Sequence, residues 1–335
     1  FFFRSPAPRW LRGVVFSLLA VSVLSVLVAC RLRFDGDMRP YLECGDKALA
    51  PPQAREDANV TIPEGAADFA QFLGPNRRGA IEGVHLARDW KASGPRQVWR
   101  IEVGQAWSGF AVAGGRAITQ EQRGDEEMVV CYELATGEPL WSHADAARYD
   151  TTIAGVGPRG TPTIDATNNR VYTVGATGLL NCLDLKSGKR IWSADIHKDA
   201  GATPLEWGHS GSPLSVDDLV IVNPGGANDH AVIAYHAETG KIAWHAGSEG
   251  GSYASPMVAE LAGMKQIVML HQIAVTGHSL DDGRVLWRHE WEGRNPKTAQ
   301  PIVVGEDRVF ISAGYGVGCQ LFKVTRDGST FSTDM

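Results

Sequence analysis

The residues best suited to contact a ligand stand at matching places along the chain. Trp107, Arg159, Trp207, His209, Tyr253 and Gln300 each lie in a stretch rich in Gly, Ser or Pro, just ahead of a short apolar run. They mix aromatic faces with cationic and hydrogen-bonding groups, the composition of pockets and interface hot spots. The competing reading is that they bond to one another and simply fill the interior. Residues for covalent or metal chemistry are scarcer. There is no CxxC, no HExxH and no Cys/His cluster. His236, His245, His278 and His289 sit beside hairpins and read as surface or packing residues. GVGPRG (155–160) has the spacing of a dinucleotide loop, but strand-like TPTID follows it and Pro158 lacks an N–H donor. GHSGS (208–212) ends in Ser212, where a nucleophile elbow needs Gly.

The cysteines divide into two groups. LVAC (27–30) closes an uncharged run, Gly13–Ala29, which follows a stretch bearing Arg4, Arg9 and Arg12 and no acid. A positive region, an apolar core and a small-residue end make an export signal. The run is a little short for a membrane span of roughly 20 residues. LVAC resembles the lipobox of bacterial lipoproteins, which implies cleavage before Cys30 and its acylation. An uncleaved anchor is the alternative. Either way the rest of the chain is expected outside the cytoplasm, in the periplasm or cell envelope, and the acylated form tethers it to a membrane. Cys131 and Cys182 each stand six residues before a turn glycine, where related segments carry Ala234 and Gly277. That is a position for small residues in packing, not a redox pair.

The chain has 335 residues and a formal net charge of −6. It is long enough for one large domain. The charge balance argues against nucleic acid as a partner, which needs a basic footprint. Three divisions are expected: 1–30 as a lipoprotein-type signal peptide, 31–65 as a flexible Pro- and Asp-rich linker, and 66–335 as the folded domain. In the last, ADFAQFLGPNRRG (67–79) is expected to pack against the domain edge.

What positions the candidate residues is a repeat. YELATGEPLW (132–141), LDLKSGKRIW (183–192), YHAETGKIAW (235–244) and HSLDDGRVLW (278–287) share a glycine at the sixth place and a tryptophan at the tenth. The pairs are Gly137 and Trp141, Gly188 and Trp192, Gly240 and Trp244, Gly283 and Trp287. With Trp99, the tryptophans recur every roughly 40–50 residues, and each interval holds about four short strands, the sign of a propeller blade. Glycine supplies the positive φ of the turn. The tryptophan on the outermost strand would wedge against the neighbouring blade. Four blades and most of a fifth are expected. The Trp99 strand reads as an outer strand whose inner partners come from elsewhere, and Ser332 stands where a fifth tryptophan should be.

The motif (A/D)-x-x-(T/S/D)-G-x-x-x-W, preceded by TPTI, SPLS, SPMV or QPIV, resembles the PQQ-like β-propeller repeat. That family holds quinoprotein alcohol dehydrogenases and BamB-like envelope lipoproteins. The resemblance covers 67–335 and implies an all-β propeller of four-stranded blades, with eight in complete members. Two functions follow. One is a non-catalytic binding or scaffold module of the cell envelope, taking protein partners through its loops or a strand edge and needing no cofactor. The other is a periplasmic dehydrogenase of an alcohol or sugar, dependent on pyrroloquinoline quinone (PQQ) and calcium. The quinone's three carboxylates want cations, the calcium wants oxygen ligands, and the alcohol proton wants a carboxylate base. The positions before the blade-opening prolines are instead Thr161, Ser212, Ser255 and Gln300, and no adjacent cysteines exist. The sequence therefore favours the first function.

Overall fold

The structure, a computed structural model, describes residues 8–34, 39–44, 49–53, 62, 67–84, 86–92, 94–293 and 295–335. Arg4 of the basic stretch and much of the expected linker lie outside the described residues. The chain forms two compact units.

The smaller unit holds helix α1 (Arg9–Ala29) and the hairpin of β1 (Cys30–Phe34) with β2 (Pro40–Cys44). The hairpin thus occupies the start of the stretch expected to be linker. A Cys30–Cys44 disulfide closes it. Acylation of Cys30 would use the same sulfur, so the two fates exclude each other. Arg33 is buried and bonds Glu43 at 3.0 Å and Asp150 at 2.5 Å, which hold its guanidinium above its ordinary pKa.

The larger unit is the propeller. Its first blade comprises β3 (Ala111–Ala113), β4 (Arg116–Arg123), β5 (Glu126–Glu133) and β6 (Pro139–Asp145). Residues Asp150–Gly155 belong to the smaller unit, and there β7 (Asp150–Thr151) pairs with β8 (Gly155–Val156). The second blade comprises β9 (Thr163–Asp165), β10 (Arg170–Val174), β11 (Leu179–Asp184) and β12 (Arg190–Asp195). After a short helix, α2 (Ile196–Ala200), the third comprises β13 (Leu214–Val216), β14 (Leu219–Val222), β15 (Val232–His236) and β16 (Ile242–Ala246). The fourth comprises β17 (Met257–Leu261), β18 (Met264–Leu270), β19 (Ala274–His278) and β20 (Val285–Glu290). The fifth comprises β21 (Ile302–Val304), β22 (Arg308–Ala313), β23 (Gly318–Asp327) and β24 (Thr330–Asp334). Each is an antiparallel meander with its first strand innermost. The fifth blade is therefore complete, because Thr330–Asp334 folds back on β23 although it lacks the tryptophan.

The repeated glycine and tryptophan meet across blade boundaries. Gly137, Gly188, Gly240 and Gly283 all have φ between 68° and 75°. A Cβ on Gly188 would lie 2.4 Å from the Trp141 ring, and Gly240 stands in the same relation to Trp192 and Gly283 to Trp244. Each indole N–H then donates to a carbonyl of the next blade: Trp141 to Leu185, Trp192 to Ala237, Trp244 to Leu280, all at 2.9–3.0 Å. Trp99 does the same with Gly137 and Leu134, although it lies outside any strand. Glycine is required twice over, for the positive φ and because any side chain would displace the ring. On the same strands' inner side, Cys131, Cys182, Ala234 and Gly277 pair directly with Trp141, Trp192, Trp244 and Trp287. A β-bulge follows each of the four pairs. Small residues are needed there to seat the indole.

The innermost strands are tied by the residues before the prolines. Thr161 N–H donates to Ser212 Oγ, and Ser212 N–H to Ser255 Oγ, each at 2.9 Å. A hydroxyl serves this latch by accepting the preceding blade's N–H. The segment 67–79 does not lie at the domain edge. Phe69 bridges Val112 of β3, and Ile164 of β9 donates to Ala70. Arg77, only 2% exposed, bonds the Ser212 and Pro256 carbonyls at 3.2 and 2.7 Å, the Pro213 carbonyl, and Gln71 at 2.9 Å. One guanidinium, with five donors in a fixed fork, thus joins the openings of blades three and four. Burial brings its pKa down to about 9.

Candidate functional site

The loops entering the innermost strands bring four side chains together. The Arg159 guanidinium lies 4.5 Å from the centre of the Tyr149 ring and donates to the Gly157 carbonyl. Such stacking is worth about 0.5–2 kcal/mol. Tyr149 donates its hydroxyl to the Glu206 carbonyl, and its ring rests on Gly208, where a Cβ would lie 3.1 Å away. Trp207, between Glu206 and Gly208, has its ring 6.4 Å from that of Tyr253 and donates its backbone N–H to the Tyr253 hydroxyl at 3.4 Å. Tyr253 N–H in turn donates to Lys297. Burial lowers the Arg159 pKa, opposed by Tyr149, Glu127 and Tyr253. Burial raises that of Tyr253, opposed by the Trp207 N–H and Arg159. The result is a cluster of three aromatic rings and one cation, all partly exposed.

Of the six sequence candidates, Arg159, Trp207 and Tyr253 belong to this cluster. Trp107 stands on the neighbouring loop, 57% exposed, its backbone N–H held by the Pro158 carbonyl at 2.9 Å. His209 does not face the mouth. Gly208, with φ +74°, turns the chain so that the imidazole goes inward. There its Nε2 meets the Gly211 carbonyl at 3.0 Å, and its ring stands edge-on to His197, 5.8 Å away. Burial and His197 push its pKa down to about 3, so it is neutral. Gln300 enters the fifth blade with both amide atoms buried and without a hydrogen-bond partner among the described residues. It stands where Ser212 and Ser255 form latches, and the latch chain stops before it. Sequence reasoning missed Tyr149, which precedes its loop by several residues. The signal was Gly208, whose missing side chain makes room for the ring.

Among the described residues, no three His, Cys, Asp or Glu side chains converge to hold a metal ion. The family model for outer membrane protein assembly factor BamB, built on PQQ-like repeats, matches residues 125–330, more than half of the chain. The chain belongs to this family. Quinohemoprotein alcohol dehydrogenase ADH IIB of Pseudomonas putida is 35% identical over 138 residues, 38% of this chain and 18% of that enzyme. Outer membrane protein assembly factor BamB of Moranella endobia is 27% identical over 168 residues, 45% of this chain and 40% of that protein. The crystal structure of BamB from Moraxella catarrhalis aligns with a TM-score of 0.45 and 18% identity, covering 65% of this chain and 58% of that one. The chain spans less than half the length of the curated relatives it matches. The mouth cluster has to be judged by its own chemistry.

Proposed function

We propose that the protein is a non-catalytic propeller of the cell envelope that binds a partner at the mouth formed by Tyr149, Arg159, Trp207 and Tyr253. The observation that carries this reading is the cluster itself: three aromatic faces around a guanidinium, the make-up of an interface hot spot. The exported setting rests on the N-terminal basic and apolar run. Both fates of Cys30 agree with it, since acylation takes place at the membrane and a disulfide persists in an oxidising compartment. The proposed lipid tether requires the acylated form, and the mass of the mature N-terminal peptide distinguishes the two.

The similarity to ADH IIB supports a second reading, a PQQ- and calcium-dependent dehydrogenase of an alcohol or sugar. The residues at the mouth do not fit that quinone. Three carboxylates would face one guanidinium, Arg159, already placed over Tyr149. Two further cations are engaged elsewhere: Arg77 by carbonyls, and buried Lys297 by the Trp291 ring and the Glu292 carbonyl. A thermal titration with PQQ at saturating calcium, compared with calcium alone, tests the choice together with dye-coupled alcohol oxidation. The expected result is no PQQ-dependent shift and no turnover. A quinone-dependent shift accompanied by turnover would establish the dehydrogenase.

A further inference from the structure

A buried carboxyl lies directly behind the loops that carry the mouth. Glu127 of β5 is only 6% exposed. One of its oxygens accepts from the Ala176 N–H at 3.0 Å, across the boundary between blades one and two. The other lies 2.1 Å from where a Cβ on Gly175 would be, so the missing side chain is what lets the carboxyl reach this turn. Ala176 in turn accepts the His209 N–H at 2.8 Å. Its methyl flanks Gly208 beside the Tyr149 ring. One residue thus links Glu127 to the loop that bears Trp207.

The surroundings of this carboxyl favour its proton. Asp145 of β6 is its register partner and carries like charge. The nearby His143 and Arg190 are engaged by Asp145, at 3.4 and 3.1 Å. From the mouth, Arg159 acts in the other direction and favours the ionised form. A cavity of about 10 Å³ is lined by Glu127, Asp145 and Asn181 together with apolar Met128, Val129 and Leu179. It has room for about one water, so little solvent reaches the carboxyl. The Asn181 amide gives its N–H to Asp145 at 2.6 Å. Its carbonyl oxygen is buried without a hydrogen-bond partner among the described residues. A protonated carboxyl is the donor such a pocket lacks. Burial is the largest effect, opposed by the Ala176 N–H, and the balance brings Glu127 up to about 7.

We infer that Glu127 is a proton switch behind the mouth. Its neutral form offers Ala176 an ordinary hydrogen bond, and its ionised form a charge-assisted one, roughly twice as strong. Ionisation therefore tightens the turn at Gly175 and Ala176, on which the Trp207 loop hangs, and adds a negative charge that acts on Arg159. The inference rests on the mouth being a binding surface, and the switch sets how firmly that surface is held as the pH crosses neutrality.

The test needs no partner, so its failure is distinct from failure of the binding reading. The full chain is labelled with fluorotryptophan and carboxyl-labelled glutamate and titrated by NMR. Trp207 is assigned by the signal lost in Trp207→Phe, and Glu127 by the signal lost in Glu127→Gln. The Glu127 carboxyl is expected to titrate at about 7, against roughly 4.3 for an unperturbed glutamate. The Trp207 signal is expected to move with the same midpoint and to stay flat across that range in Glu127→Gln. Arg159→Gln removes the opposing cation and is expected to raise the Glu127 midpoint. That variant serves alone should Glu127→Gln fail to fold. The proposal is overturned if Glu127 titrates in the usual carboxylate range. It is equally overturned if the Trp207 signal keeps its midpoint in Glu127→Gln, which would assign the response to a histidine, or if Arg159→Gln leaves the Glu127 midpoint unmoved.

Discussion

The rim and the mouth of the propeller are built by opposite rules. At the rim, Trp141, Trp192 and Trp244 repeat one contact: a ring flat on a glycine, one N–H on a carbonyl, a small residue beneath. At the mouth no two loops are alike. One supplies an arginine, the next a tryptophan, the third a tyrosine. Repetition at the rim fixes the distance between blades, so any departure is felt by two sheets. Variation at the mouth is tolerated because the loops rest on strands already held elsewhere. The exception at the rim is instructive. Trp287 turns its N–H to Gln266 of its own blade and meets Phe322 edge-on, with ring centres 5.7 Å apart. Without a matching glycine contact in blade five, the indole is satisfied locally.

The contrast can be broken most forcefully at the rim. Trp141→Ala removes the ring from Gly188 and the bond to Leu185, and should lower stability by about 3–5 kcal/mol, read from urea unfolding. Gly277→Ala should come next, at about 1–3 kcal/mol, because the new Cβ would lie 2.2 Å from the Trp287 nitrogen. Cys182→Ala, at the equivalent place under Trp192, should cost less, since Ala234 already fills that role in blade three.

Acid should separate the rim from the interior behind the mouth. Burial pushes His209 and His271 down to about 3, against roughly 6.5 in the unfolded chain. Between those values the unfolded chain binds protons that the folded chain refuses, so stability is full above roughly pH 6.5 and falls as pH drops below it. Glu127 acts in the opposite sense: its proton is held up to about 7 in the fold, which favours the fold as pH falls from 7 toward the usual carboxylate range. The two histidines should prevail over the single carboxyl, so urea midpoints should drop between pH 7 and pH 5. His209→Asn should flatten that drop, whereas Trp141→Ala should shift the whole curve without changing its slope.

The rim could be read from the sequence because its physics is local: a turn glycine and a tryptophan four residues on define the hairpin and its neighbour contact together. The small residues opposite the tryptophans were legible for the same reason. The fifth blade was underestimated because β24 carries Ser332 instead of tryptophan. Arg77 was not legible at all. Its partners lie far along the chain at Ser212, Pro213 and Pro256, and nothing in GPNRRG distinguishes a buried arginine from a solvated one. His209 misled because a histidine in a Gly- and Ser-rich loop reads as exposed, while the turn at Gly208 sends it inward. Cys30 carries two readings: LVAC assigns its sulfur to a lipid, whereas the hairpin pairs it with Cys44, and that hairpin has no strong strand pattern of its own.

The smallest expected effect is also the most telling, because it decides whether the mouth is a binding surface or part of the scaffold. Arg159→Ala and Trp141→Ala should be unfolded in urea side by side. The account predicts a loss below about 1 kcal/mol for Arg159→Ala, within the usual range for residues outside the core, against several for Trp141→Ala. If Arg159→Ala proves as destabilising as Trp141→Ala, the guanidinium over Tyr149 is a structural plug, and the mouth is not free to receive a partner.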